Sequence, residues 1–153
     1  MPATLIYMPS PLNQVIITQV TWHQAEHHLR EIRTKVFIDE QHVPIDLEWD
    51  NLDETAQHLL VMNHSNEPIA CARLLADGSI GRMAVLKAWR GLGVGTALLK
   101  AAIASHQQQD ILGITLSAQA HAIPFYKKAG FEVISESYLD AGILHVDMRF
   151  FLS

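Results

Sequence analysis

The chain has 153 residues, with 11 lysines and arginines against 16 aspartates and glutamates and a formal net charge of −5. That balance argues against nucleic acid as a routine partner, so an anionic ligand has to be held by local groups rather than by the overall field. The length fits one domain able to bury roughly 70% of its unfolded surface, and no apolar run approaches the roughly 20 residues that a membrane-spanning helix needs.

Residues 1–13 contain Pro2, Pro9 and Pro11 without a clear period and read as a loose arm ahead of a single domain over 14–153. Met1-Pro2-Ala3-Thr4-Leu5 lacks the basic segment of a secretory signal. The lone Cys71 excludes an internal disulfide framework, which together with the missing signal points to a reducing, cytoplasmic setting. Gln14 to Val20, rich in Val and Ile, reads as a strand. Thr21 can cap the helix that follows, in which Trp22, Ala25, Leu29, Ile32 and Val36 recur at three- and four-residue steps. That helix should fade near Asp39 to Gln41, ahead of Val43-Pro44. His42 to Ala56 is an acidic loop with Asp46, Glu48, Asp50, Asp53 and Glu54 around Trp49. Such a run is either simply solvated or a set of carboxylates facing a cationic amine. His23 and His27 lack the glutamate of H-E-x-x-H, and no metal site is expected.

Gln57 to Asn63 and Pro68 to Leu75 read as paired strands. Asp77-Gly78 turns the chain into a strand from Ile80 to Leu86, whose alternation puts Arg82, Ala84 and Leu86 on one face and Gly81, Met83 and Val85 on the other. A helix over Thr96 to Gln107 follows. The apolar run Ile111 to Ser117 is expected to be a buried parallel strand, reached through a helical crossover. A short helix over Ala122 to Ala129 ends at Gly130. Phe131 to Leu139 and Ile143 to Phe151 close the chain as a hairpin across Asp140-Ala141-Gly142.

Between the Ile80–Leu86 strand and the next helix lie Gly91, Gly93 and Gly95. Residues without Cβ let backbone N–H groups approach a ligand, and a helix start adds unpaired amides and a positive dipole end. Together these suit a phosphate, with Arg90 as a cationic fork. The lysine of a mononucleotide P-loop is missing, and the spacing departs from the dinucleotide fingerprint. Arg90, Gly93 and Gly95 do meet a third pattern, [QR]-x-x-G-x-[GA]. Downstream, Ala122, Phe125, Tyr126, Gly130 and Phe131 form A-x-x-F-Y-x-x-x-G-F. On these two motifs the chain resembles the GNAT superfamily of N-acetyltransferases. Phe37 to Pro44 (F-x-x-E-Q-x-V-P) and Gly142 to Met148 (G-I-x-H-x-x-M) resemble stretches of one largely uncharacterised branch.

The resemblance implies an α+β GNAT fold: a mixed central β-sheet flanked by helices on both faces, in α/β/α layers, with a parallel strand pair splayed at the cofactor cleft. It implies that acetyl-CoA enters between strands ending near Val85 and Ser117. The pantetheine arm would pair with the backbone of Met83, Ala84 and Val85. The pyrophosphate would rest on the amides of Arg90, Gly91, Leu92, Gly93, Val94, Gly95 and Thr96, with the side chains of Leu92 and Val94 packed inward. Gln119 stands where many relatives carry a cofactor-bonding asparagine. Tyr126 holds the position of the acid that protonates the leaving thiolate, although as a residue it reads equally as an aromatic packed beside Phe125. The base stays open among Glu40, Glu48, Asp50 and His145, and Glu40, Glu48 and Asp50 are also expected to face the acceptor.

The implied activity is direct acetyl transfer to the primary amine of a small molecule, cationic if the acidic loop faces it, with no metal and no acyl-cysteine at Cys71. A catalytically silent acyl-CoA sensor with the same fold is the rival, and a nucleotide-phosphate binder is a more distant one. Dimerisation is common in the family, but no stretch of the sequence marks an interface for a homodimer.

Overall fold

The computed structural model describes residues 3–7 and 14–151; the rest of the expected arm, at 1–2 and 8–13, lies outside them. Part of that arm is ordered. Thr4–Tyr7 forms strand β1, paired antiparallel with β2 (Gln14–Thr21) through Thr4↔Ile17 to Tyr7↔Gln14. Without it β2 would present an open row of N–H and C=O groups, which Leu5-Ile6-Tyr7 is well suited to cover.

Thr21 caps helix α1 (Trp22–Arg33) by accepting from Gln24 N at 3.3 Å, while Gln24 Oε1 accepts from Thr21 N at 2.8 Å. This reciprocal capping box satisfies two otherwise orphaned donors. The helix then widens into a π-helix over Thr34–Glu40, which ends where fading was expected, near Asp39 to Gln41. A one-turn helix α2 (Ile45–Glu48) interrupts the acidic loop.

Strands β3 (Gln57–Asn63), β4 (Pro68–Leu74) and β5 (Ser79–Val85) continue the antiparallel sheet. Helix α3 (Val94–Gln108) crosses to β6 (Thr115–Gln119), and α4 (Ile123–Lys128) precedes β7 (Phe131–Val133), β8 (Tyr138–Asp140) and β9 (Ile143–Phe150). The sheet order is β1-β2-β3-β4-β5-β6-β9-β7, with β8 also on β9. Strand β6 starts at Thr115 rather than at the predicted Ile111. Asp110 turns the chain at φ +59 and Leu112 is exposed, so the first half of that apolar run is a connection. The expected hairpin is broken as well, since β7 and β8 pair separately with β9.

Strands β5 and β6 run parallel, paired only through Ser79↔Thr115 and Ile80↔Leu116. On its other edge β5 carries a bulge. Cys71 pairs with Ala84 and Arg73 with Gly81, so Arg82 and Met83 together oppose Ala72. Arg82 takes φ +46, a conformation L side chains rarely adopt. A bulge bends its strand and sharpens the local twist, and beyond it β5 and β6 part.

The two faces of the sheet are buried separately. Leu98, Leu99 and Ala102 of α3 pack over Leu59, Val61 and Ala72, joined by Leu116, Ala118 and Met148. Trp22, Leu29 and Ile32 of α1 cover Leu60, Cys71 and Ala84 on the opposite side. The predicted faces of β5 hold beyond the bulge, with Ala84 on the α1 side and Met83 and Val85 packed toward α3, but not before it: Ile80 joins the α3-side core, so Gly81 faces α1 rather than sharing a face with Met83.

On the α1 side sits Arg33, 1% exposed. Its Nε donates to Glu48 Oε2 at 2.7 Å, Nη1 to Asp53 Oδ1 at 2.6 Å and Nη2 to Glu48 O at 3.2 Å. Its guanidinium also lies 4.9 Å from the Trp49 ring centre and 5.8 Å from that of Trp22. This one side chain pins the acidic loop to the helix. Arg33→Leu leaves Glu48 and Asp53 buried without their cation, so unfolding in urea should show a loss of roughly 3–5 kcal/mol. A loss under about 1 kcal/mol would mean the loop is held by packing alone.

Candidate active site

Past Ile80 the β6-facing edge of β5 has no strand partner, which leaves a wedge at Met83 to Val85. The chain then makes a 3₁₀ turn over Lys87–Trp89 and enters the glycine loop. Gly91 has φ +76, and Gly93 has φ +90 as the N-cap of α3. Both lie in left-handed backbone, which glycine adopts without strain. No side chain caps α3, and the first amide bonded back along the helix is Ala97 N to Gly93 O, at 3.1 Å. The N–H groups of Val94, Gly95 and Thr96 therefore lack an intrahelical acceptor and sit at the positive end of a helix dipole. A Cβ on Gly95 would stand 3.4 Å from Phe125 Cζ, in van der Waals contact with α4. The helix begins two residues before the predicted Thr96. Val94 is buried as expected, whereas Leu92 is exposed on the outside of the loop.

Arg90 does not hold a free fork toward the glycines. Its Nη1 and Nη2 donate to the two oxygens of Glu40 at 2.6 and 2.8 Å, and its Nε donates to Val85 O at 2.9 Å. All three guanidinium nitrogens are engaged, because a planar fork matches a carboxylate in two places. The same geometry argues against Glu40 as a base: the hydrogen bonds from Arg90 lower its pKa, so it holds a proton poorly. Gln119, expected to meet a cofactor, instead donates from Nε2 to Gln41 Oε1 at 2.8 Å, bridging the end of β6 to the end of the π-helix.

A cavity of about 870 Å³ runs between the parted strands. Among the residues expected at the site, Leu92, Val94, Glu40 and Asp50 stand outside its wall; the others line it. Tyr126 lies on the α3 side, edge-on to Phe125 and Phe131, with its hydroxyl 4.0 Å from Met83 Sδ. Burial pushes its pKa up to about 12, so the hydroxyl keeps its proton.

His145 is on the opposite face, with Nδ1 2.7 Å from Ile143 O. A carbonyl only accepts, so Nδ1 carries the hydrogen and Nε2 of the neutral ring keeps a lone pair. The ring stacks on Tyr138 at 6.1 Å and 21°. The Tyr138 hydroxyl in turn donates to Asp147 Oδ1 at 2.5 Å and contacts Ser117 Oγ. Sequence reasoning passed over Tyr138, which falls in no motif, and gave Ser117 only as the end of a strand.

Within the acidic loop Asp46 and Glu54 are solvent-exposed, while Glu48, Asp50 and Asp53 are neither solvated nor turned toward the cavity as free charge. Arg73 forks onto Asp50 at 2.8 and 2.9 Å and reaches Asp53 at 3.2 Å. Arg82 Nη2 donates to Asp50 Oδ2 at 3.0 Å and to the carbonyls of Leu47 and Glu48, each at 3.1 Å. Three carboxylates thus meet three arginines, counting Arg33, and the expectation of Glu48 and Asp50 as amine-facing anions is overturned by that pairing. A signal was present: Arg73 and Arg82 sit inside largely apolar strands, where a charge requires partners.

Burial raises Glu48's pKa even against the pull of Arg82 and Arg33. Burial acts the same way on Asp50, but the hydrogen bonds and charge of Arg73 outweigh it and bring its pKa down to about 2. The Nε atoms of Arg73 and Arg82 are buried with no hydrogen-bond partner among the described residues. Arg82 Nε is 3.2 Å from Glu48 Oε2, close enough for charge attraction, but its N–H is not aimed at that oxygen. Each unmatched donor costs about 1–3 kcal/mol. Burial pushes the thiol of Cys71 up to about 12, which removes it as a nucleophile.

Residues 20–152 match the family model described as "Acetyltransferase (GNAT) domain". The chain is 39% identical over 121 residues to the "Uncharacterized N-acetyltransferase YjcF" of Bacillus subtilis, covering 76% of this chain and 86% of the relative. A crystal structure of an acyl-CoA N-acyltransferase from Pseudomonas aeruginosa superposes with TM-score 0.81 at 31% identity, over 90% of this chain and 99% of that one. The structure of Escherichia coli ElaA superposes with TM-score 0.80 at 27% identity, over 90% and 99%.

The ion cluster has an acid signature. Asp50's folded pKa lies below its ordinary 3.8, so its stabilisation is complete above about pH 4 and is lost as pH falls toward 2. With solvent screening this amounts to about 1–2 kcal/mol. The thermal midpoint should fall across that interval, and Asp50→Asn should flatten that part of the slope while lowering stability at neutral pH. An unchanged slope in the variant would remove Asp50 from the account.

Proposed function

The chain belongs to the GNAT family of acetyltransferases, and from that premise we propose that it carries the acetyl group of acetyl-CoA to the primary amine of a small molecule. The observation that supports this reading best is the coincidence of an uncapped helix N-terminus behind left-handed glycines with a parted parallel strand pair, both opening on one cavity. The donor set suits a diphosphate joined to a long arm. The amides at Gly93 to Thr96 offer N–H groups to phosphate oxygens, and the free edge at Met83 to Val85 offers main-chain partners to an amide-bearing chain. Bound there, acetyl-CoA supplies an acetyl group activated as a thioester.

The side chains then divide the proton work. An ammonium cannot attack a carbonyl, so one proton has to leave it first. His145 Nε2 takes that proton, because the hydrogen bond to Ile143 O already commits Nδ1 as donor. Glu40 is bound by Arg90, and Asp50 is held far below neutral pH by Arg73, so neither competes for this role. As the new C–N bond forms and the C–S bond breaks, the second amine proton is released and the sulfur needs one. Tyr126, kept protonated by burial, places an O–H beside Met83 to stabilise that sulfur and protonate it. Arg90 acts through position: it ties the loop to Val85 and to the π-helix.

His145→Gln should lower kcat by roughly 10²-fold and abolish the acid limb of the pH–rate profile, with CoA affinity unchanged by calorimetry. An intact acid limb would dismiss His145 as the base. Tyr126→Phe should reduce kcat with little change in KM, and a turnover equal to wild type across pH would remove the hydroxyl from the chemistry. Gly93→Ala forces a side chain into left-handed backbone and should weaken CoA binding by about tenfold or more, which unaltered affinity would contradict.

A further inference from the structure

We propose that the acceptor amine also bears a carboxylate, received by the Arg82 guanidinium in the cavity wall on the α1 side of the sheet. The inference rests on the acetyl-transfer reading and reverses the charge of the acceptor that the acidic loop had suggested. Both arginines line the cavity, and so does Glu48. Three hydrogen bonds from Arg82 all leave through Nη2, so Nη1 takes no part in them. Nε of each arginine is buried out of a ligand's reach, and both Nη atoms of Arg73 are bound to Asp50, so Arg82 Nη1 is the donor this wall offers. The N–H groups of a guanidinium nitrogen left over in a cavity wall are suited to a carboxylate.

The surrounding charge agrees. Arg33, Arg73 and Arg82 face Glu48, Asp50 and Asp53, a formal balance. The other ionisable groups on the cavity wall are Arg90, already bound to Glu40, the two histidines His121 and His145, Tyr126, and Asp140 on β8. Val36, Phe37, Val43, Leu47 and Leu75 supply apolar wall. The acceptor class is therefore an amino carboxylate with an apolar body.

The test compares leucine and phenylalanine with their amides and decarboxylated amines in amine-dependent CoA release. In parallel, N-acetylleucine and N-acetylphenylalanine are titrated against their amides into protein saturated with CoA. The acids should show KM and Kd values about tenfold or more below those of the amides. Arg82→Gln should shrink the acid-to-amide ratio toward one, and Arg82→Lys should keep part of it; a general loss of structure would not move that ratio. If Arg82→Gln does not fold, the wild-type ratios decide alone. Amides or plain amines that react and bind as well as the acids would overturn the carboxylate subsite and leave the transferase standing. Acid-selective binding with no CoA release from any amine would instead defeat the transferase reading and leave the subsite. Failure of every N-acetylated acid to bind would overturn the subsite.

Discussion

The site depends on one backbone irregularity, the bulge that sets Arg82 and Met83 against the single residue Ala72. A positive φ at a residue as large as arginine is costly, of order 1–3 kcal/mol, and persists only when its surroundings fix it. Here they do: Nη2 of Arg82 holds two carbonyls of the acidic loop and Asp50. The distortion has consequences on both faces of the sheet. It bends β5 away from β6, which frees the edge at Met83 to Val85, and it places a guanidinium in the wall of the same cavity. The free edge of β5 and the arginine in the cavity wall thus share one origin.

Long-range contacts then set the shape of the opening. Arg90 joins Val85 O to Glu40, and Gln119 joins Gln41, so the two residues at the end of the π-helix are each tied across the cleft to a different strand region. The Arg90–Glu40 pair is more than a third exposed on both partners and contributes little to stability. Its importance is geometric. A π-helix, with poorer internal packing than an α-helix, is the kind of segment that cross-ties of this sort can position.

Local chemistry was legible in the sequence and distant pairing was not. The Thr21–Gln24 capping box, the glycines ahead of α3, the faces of β5 beyond its bulge and the placing of Tyr126 on a short helix all follow from residues within a turn or two of each other. Arg90 and Glu40 lie 50 residues apart and Gln41 and Gln119 lie 78 apart, so no periodicity could pair them. The acidic loop misled for the same reason. Its carboxylates look solvated until Arg33, Arg73 and Arg82 are brought under them. Two buried-looking arginines in apolar strands were the available warning, and they say that a partner exists without saying which. The start of β6 was misjudged because an apolar run carries no mark of where pairing begins.

The central claim is that the loop at Gly93 and the freed edge of β5 hold one extended ligand. Amide hydrogen exchange with and without coenzyme A measures this directly. The account predicts new protection at the amides of Gly93 to Thr96 together with Met83 to Val85, in a single concentration-dependent step. Protection confined to another part of the chain, or none at saturating coenzyme A, would contradict it.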